Sequence, residues 1–400
     1  MTHESTARSR ALDRLGKVDP VEYEASRNYL DGAVTGLSPF LRHGVLSLAE
    51  VRDAVVAKAG GAARGRKLMQ ELAWRDYYQR LWYLLGDSIW LDIEHYKTGF
   101  EAPDYADVLP SDLLNAATGI DYVDYFVEQL HTTGKLHNHA RMWLSAYIVH
   151  GRRVKWQAGA RWFLSYLLDG DEASNNLSWQ WCASTFSHKP YFYNRENVLK
   201  YSGNRFSRHQ ADDPFDTDYE TLSRKLFGDA PNGNKLQRRF DLRTNGEPDC
   251  SASSTGSIDV ASTLVWIHDG MMSPAHPAIA MVEHHVFVWD DQHITACGHS
   301  AARIAFQQSA MICPDVHSQG KPLAEILHGI ARERRCGANV TGQTPDPRLI
   351  RVMDQLRSRL TVQVVPDRAF VKLHDRLGLT RFSRYWAKAE IQLIAGGSDE

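Results

Sequence analysis

The chain has no CxxC pair, no long apolar run, no GxGxxG or Walker fingerprint and no excess of positive charge. Its five cysteines (Cys182, Cys250, Cys297, Cys313, Cys336) are scattered. That argues against a disulfide scaffold, a zinc ribbon or an iron–sulfur cluster, and no metal is expected. Free thiols in a reducing compartment are the simplest account. A membrane helix needs about 18 consecutive apolar residues and none occur, while the start of the chain, MTHESTARSRALDRLGK, is too polar for a signal peptide. The expectation is a cytoplasmic protein. A net charge of −2 excludes nucleic-acid binding through bulk positive charge.

What is present is globular: 400 residues, 43% hydrophobic and 24% charged, a length that predicts two domains. Residues 1–20 read as a mobile arm or frayed first helix, and 21–227 as an all-α domain. Within it Ser47 and Glu50 form a capping box opening a helix over 48–57. Residues 228–262 are rich in Asn, Gly, Ser, Thr and Pro and read as a linker. From 263 to 400 the rhythm changes. Strand-like runs TLVWI (263–267), HVFVW (285–289), AMICP (310–314) and TVQVV (361–365) alternate with helices over 299–309, 321–335 and 346–360. That alternation predicts a smaller α/β domain with a parallel, Rossmann-like sheet.

The densest stretch is 134–181. Asn138, Arg141 and Met142 share a helix face. Asp169-Gly170-Asp171 breaks the next helix, and Asp171 or Ser174 is placed to cap the one after it. There Trp179 and Trp181 lie about 200° apart. Each residue alone reads as ordinary core. The set Asp169, Asp171, Asn175 and Asn176, placed between apolar helices, requires a polar guest flanked by rings. Upstream, Glu71 and Trp74 project together from one helix and Arg75 about 100° away. The loop TGLSP reads as a phosphate cradle or a plain interhelical turn. Residues 87–128 carry ten acids and one lysine, which reads as a solvated surface. Across 21–230, 23 Lys and Arg stand against 27 Asp and Glu, a poor balance for a DNA-binding face. Arg152, Arg153 and Lys155 are the candidate local basic patch.

DGDEASNNLSWQW, preceded by TGKLHNHARM with Trp156 between them, closely resembles the flavin-binding domain of the photolyase and cryptochrome family, over about residues 34–227. The resemblance implies FAD, held by Thr35, Gly36, Leu37, Ser38, Arg75, Arg141, Asp169, Asp171 and Asn175, with Asn175 facing flavin N5. Val34 stands where the family usually has a hydroxyl. It implies a lesion pocket of Glu71, Trp74, Asn138, Met142 and Trp181, and electron transfer through Trp179 and Trp156. A third tryptophan is missing; Tyr105 is the nearest aromatic, and Trp90 and Trp162 offer other routes. His139 replaces an arginine that often contacts DNA phosphate. LVWIHDGMMSPAHPAIAM resembles the start of the family's antenna domain. That domain usually comes first, so its place here implies a circular permutation, and the sequence names no antenna chromophore. The expected activity is light-driven repair of cyclobutane pyrimidine dimers in DNA. The alternatives are a cryptochrome-like photoreceptor with a protein partner, and a flavoprotein with light-independent redox activity.

Overall fold

The computed structural model describes residues 6–206, 213–228, 259–280, 282, 284–373 and 379–395. They divide into two compact units. One comprises residues 6–24, 35–87 and those from 259 onward; the other comprises 25–34 and 88–228. The sequence boundaries differ from this division, because they kept 35–87 with the rest of the helices. Most of the expected 228–262 linker lies outside the described residues.

In the first unit the described part of the expected arm or frayed helix, from residue 6, is a packed helix. Thr6–Gly16 is a helix whose Ala7 and Ala11 are fully buried, and Arg8 forms an ion pair with Glu50. Leu48–Ala59 begins with the Ser47/Glu50 capping box and ends at Gly60, whose φ of 68° suits a residue without Cβ. Arg66–Leu85 is the longest helix described, at 20 residues.

The sheet of this unit has five parallel strands, β1 Thr263–Ile267, β2 His285–Trp289, β3 Asp315–His317, β4 Ala338–Gly342 and β5 Thr361–Val365, in the order β3-β2-β1-β4-β5. Central β1 is buried along its whole length, as expected of a parallel sheet covered on both faces. Two strand expectations need correcting. AMICP is not a strand: its Pro314 only leads into β3, a short exposed edge. Proline donates no ladder bond; Pro314 only accepts one, from the Phe287 amide, and paired strand begins at Asp315. β4, ANVTG, went unread because alanine, asparagine and glycine carry little strand signal.

The second unit is helical around one aromatic-rich core. Asp121–Thr133 ends at Gly134, where a Cβ would meet the Tyr166 carbonyl at 2.8 Å. Asn138–Ala146 runs on into a π-helical turn, Tyr147–Gly151. Trp156–Tyr166 packs against Glu172–Ala183. Their approach requires Gly159, where a Cβ would fall 2.5–2.9 Å from the Trp179 ring atoms Cζ3 and Cζ2.

Candidate functional site

Asp171 opens helix Glu172–Ala183 by accepting from the Ser174 amide at 3.2 Å and the Ser174 hydroxyl at 2.6 Å. This settles which of the two expected residues caps. One turn on, Asn175 Nδ2 donates to the Ala160 carbonyl (3.1 Å) and to Asn176 Oδ1 (3.0 Å). A carbonyl can only accept, so the amide orientation is forced and Asn175 presents its oxygen outward from that pair. Two buried donors nearby, Asn176 Nδ2 and Trp179 Nε1, have no hydrogen-bond partner among the described residues. Each such group costs about 1–3 kcal/mol unless something else satisfies it.

Arg141 Nη2 lies 2.9 and 2.8 Å from the two carboxylate oxygens of Asp169, and its Nε donates to the Leu136 carbonyl. The expected ion pair is therefore formed, with Asp169 almost fully buried. On the same helix, Asn138 Nδ2 sits 3.4 Å from Met142 Sδ, so the two share an accessible face as their spacing requires. Trp181 is half-buried against Tyr191, at a centroid distance of 5.5 Å.

His139 lies edge-on to Tyr201 at 4.8 Å and against Trp143 at 5.4 Å. Burial, with His137 and Arg27 adding repulsion, pulls its pKa down to about 4. It is neutral near pH 7 and supplies no charge toward a phosphate. The basic patch meets the same fate. Arg152 makes a two-pronged pair with Asp112 (2.7 and 3.0 Å), Arg153 donates to the Leu226 carbonyl and covers the Phe100 ring at 3.6 Å, and Lys155 pairs with Asp107 at 2.6 Å. Arg152 and Lys155 are thus paired with carboxylates within the unit, and Arg153 with a carbonyl and a ring. The acidic run is likewise no plain solvated face. It supplies those partners, and its Asp92 and Glu94 are buried.

Trp179 and Trp156 are fully buried, and Trp156 Nε1 donates to Asp92 at 2.7 Å. Trp90 stacks on Trp156 at 6.3 Å with the rings 8° from parallel. It is half-exposed, donates to Glu172 (3.1 Å) and lies under the Arg161 guanidinium at 4.9 Å. Tyr105 is buried on Tyr96 and bonded to Thr98, and burial raises its phenol pKa, so it keeps its proton. Trp162 donates to His131 Nε2 at 3.2 Å.

The remaining candidates belong to the first unit. Thr35 Oγ1 accepts from the Leu37 amide (3.3 Å), and Gly36 has φ 60° before the short helix Ser38–Arg42. Arg14 donates to the Thr35 carbonyl (2.8 Å), and a Cβ on Gly36 would fall 2.5 Å from its Cζ. Sequence reasoning missed Arg14 because the arm assignment hid it. Glu71 pairs with Lys67 at 2.8 Å. Trp74 is stacked on Phe382 at 3.5 Å and 9°, so one of its faces is taken. Arg75 follows it on the same helix, half-buried.

Residues 68–217 match the family described as the FAD binding domain of DNA photolyase. The chain is 36% identical over 165 residues to a deoxyribodipyrimidine photo-lyase of Streptomyces griseus, covering 41% of this chain and 35% of that one. To the Escherichia coli (strain K12) protein of that name it is 33% identical over 191 residues, covering 43% and 37%. Among solved structures, a class III photolyase from Agrobacterium tumefaciens shares 22% identity with a TM-score of 0.41, covering 55% of this chain and 44% of that one. A Synechocystis cryptochrome shares 20% with a TM-score of 0.43, covering 55% and 45%. The chain spans about a third of the length of the curated relatives it matches. The helical segment is thus an FAD-binding domain. Over these residues the chain is similar to DNA photolyases.

No helix among the described residues is long and apolar enough to cross a membrane. The donor set of the second unit fits a flavin, which needs acceptors and donors at its polar edge and aromatic walls. Asn175 offers the acceptor, and Asn176 Nδ2 and Trp179 Nε1 are donors lacking partners among the described residues.

Proposed function

We propose that this protein repairs cyclobutane pyrimidine dimers in DNA by light-driven electron transfer from reduced FAD. The observation that carries the reading is the fixed amide of Asn175, held by Ala160 and Asn176 with its oxygen as the only atom left to accept. An amide in that pose accepts from a reduced flavin N5–H and cannot donate a titratable proton to it. When bound and reduced, the flavin supplies an electron on excitation; orientation and electrostatics are left to the protein. Arg141 and Asp169 would lie beside the ring, Asp171 and Arg75 near it, and Thr35, Gly36, Leu37 and Ser38 would cradle the pyrophosphate. Arg14, seated on Gly36, adds a cation there.

Asn138 and Met142, together on one accessible helix face, would meet an extruded dimer, with Glu71 on its base edges and Trp74 and Trp181 as ring walls. Trp179, Trp156 and Trp90 would carry electrons in from solvent. Blue light on dimer-containing oligo(dT), with reductant and FAD-loaded protein, should restore thymine absorbance. Full photoreduction with no restored absorbance would refute repair.

A cryptochrome-like photoreceptor is the second reading, favoured by one group of observations. Arg152 and Lys155 are paired with carboxylates, Arg153 is turned onto the Leu226 carbonyl, and His139 is half-buried and neutral. It predicts intact photoreduction together with weak, salt-sensitive DNA binding. We further propose that the α/β segment corresponds to the family's antenna domain, placed by circular permutation after the flavin domain.

A further inference from the structure

The sequence pointed to no metal, but the α/β segment brings together three ligating side chains, none of them assigned to the flavin. His293 and Cys297 stand one helical turn apart on Asp291–Cys297, so they share a face. Gly298 then adopts a left-handed φ of 60°, which closes the helix and turns the chain so that His299 comes back to the same side. The two imidazoles meet edge-on at 5.6 Å. Cys297 Sγ lies 3.7 Å from His293 Nδ1 and 3.8 Å from its Nε2. One ligand atom from each of the three residues falls within 4.8 Å of the others.

Those spacings can be compared with what a metal demands. Zn–S of about 2.3 Å and Zn–N of about 2.05 Å at tetrahedral angles put sulfur and nitrogen about 3.6 Å apart. The sulfur–imidazole pair is already within a few tenths of that figure. His299 lies within 4.8 Å of both, so it closes by no more than about 1.5 Å, within reach of side-chain rotation. A second observation points the same way: His299 Nδ1 is buried and has no hydrogen-bond partner among the described residues. A buried imidazole nitrogen left in that state is costly, and a metal ion is one of the few partners that would satisfy it. The cations facing the cluster are Arg303, Arg42 and Arg348, and Asp269 and Asp290 stand as counter-charges to the last two.

We infer that His293, Cys297 and His299 form a binding site for a borderline-soft divalent transition metal of the zinc class. One thiolate with two imidazoles is a donor set that selects such ions over magnesium or calcium. Binding replaces the thiol proton of Cys297, which leaves to solvent, with a metal–sulfur bond. Three protein ligands leave a fourth position for water or an external donor. The cluster borders the cleft at the carboxyl ends of β1 and β2, which Trp266, His268 and Trp289 also line.

The test uses full-length protein, stripped with chelator and titrated with Co²⁺, then with Zn²⁺. The site predicts one saturating equivalent of Co²⁺, a thiolate-to-cobalt charge-transfer band in the near ultraviolet, and its loss on adding Zn²⁺. Cys297→Ser should abolish the band, and His299→Gln should weaken Co²⁺ binding at least about tenfold. Peptide-mapped alkylation of Cys297 in the unmutated protein gives a measure independent of the variants' folding. One equivalent of Zn²⁺ should strongly slow it. The absence of a saturable cobalt signal would overturn the proposal. So would a band that survives Cys297→Ser, or alkylation unaffected by zinc.

Discussion

Replacing Gly159 by alanine isolates the packing that seats Trp179. Ordinarily Gly→Ala inside a helix stabilises by about 1 kcal/mol. Here the new Cβ would lie 2.5 Å from Cζ3 and 2.9 Å from Cζ2 of a fully buried indole, and nearer still to Cη2. Carbon atoms rest about 3.5–4 Å apart, so ring or helix must shift by about 1 Å. Overpacking of that kind costs about 1–3 kcal/mol, and a rigid buried ring belongs at the upper end. The net expectation is a loss of about 2 kcal/mol. Gly329, inside helix Leu323–Glu333, is the control, since nothing lies within 4 Å of its would-be Cβ. Gly329→Ala should therefore gain up to about 1 kcal/mol. Urea denaturation followed by tryptophan fluorescence and circular dichroism reads both. A Gly159→Ala protein as stable as the parent would refute the packing argument for Trp179.

The remaining expectations are shorter. His139 must stay neutral to keep its place; its folded pKa of about 4 lies below the ordinary 6.5. The unfolded chain therefore binds a proton first, so this contribution to stability is whole above pH 6.5 and declines as pH falls toward 4. Thermal melts across that range should show the slope, and His139→Phe should flatten it; an unchanged slope would contradict the assignment. Asp169→Asn leaves Arg141 with a neutral partner in a nearly buried pair, at a cost of about 2 kcal/mol and with weaker FAD retention, both measurable by denaturation and bound-flavin absorbance. Trp90→Phe should slow photoreduction of the flavin under blue light with an external reductant, whereas Trp162→Phe should leave it unchanged. The reverse order would move the surface exit to Trp162.

Much of the helical segment was legible because its signals are local. Ser47 and Glu50 announced their capping box, the pair Asp171 and Ser174 a helix start, and the spacing of Asn138 and Met142 their common face. Long-range matching was not legible. Nothing in GRRVKW states that Asp112 and Asp107 absorb its charges, nor that His139 is enclosed by Tyr201 and Trp143. The stacking of Phe382 on Trp74 joins residues some 300 positions apart, beyond any periodicity argument. Trp90 as the neighbour of Trp156 was one candidate of two from sequence, and only the ring geometry separates them. In the sheet, apolar strands were readable and β4 was not, because its burial comes from its neighbours β1 and β5 rather than from its own residues.

The most direct test of the account is the flavin content of the purified protein and of its Asn175→Leu variant. One FAD per chain, released on denaturation and largely lost in the variant, is the predicted result. A colourless protein that takes up no added FAD would contradict it.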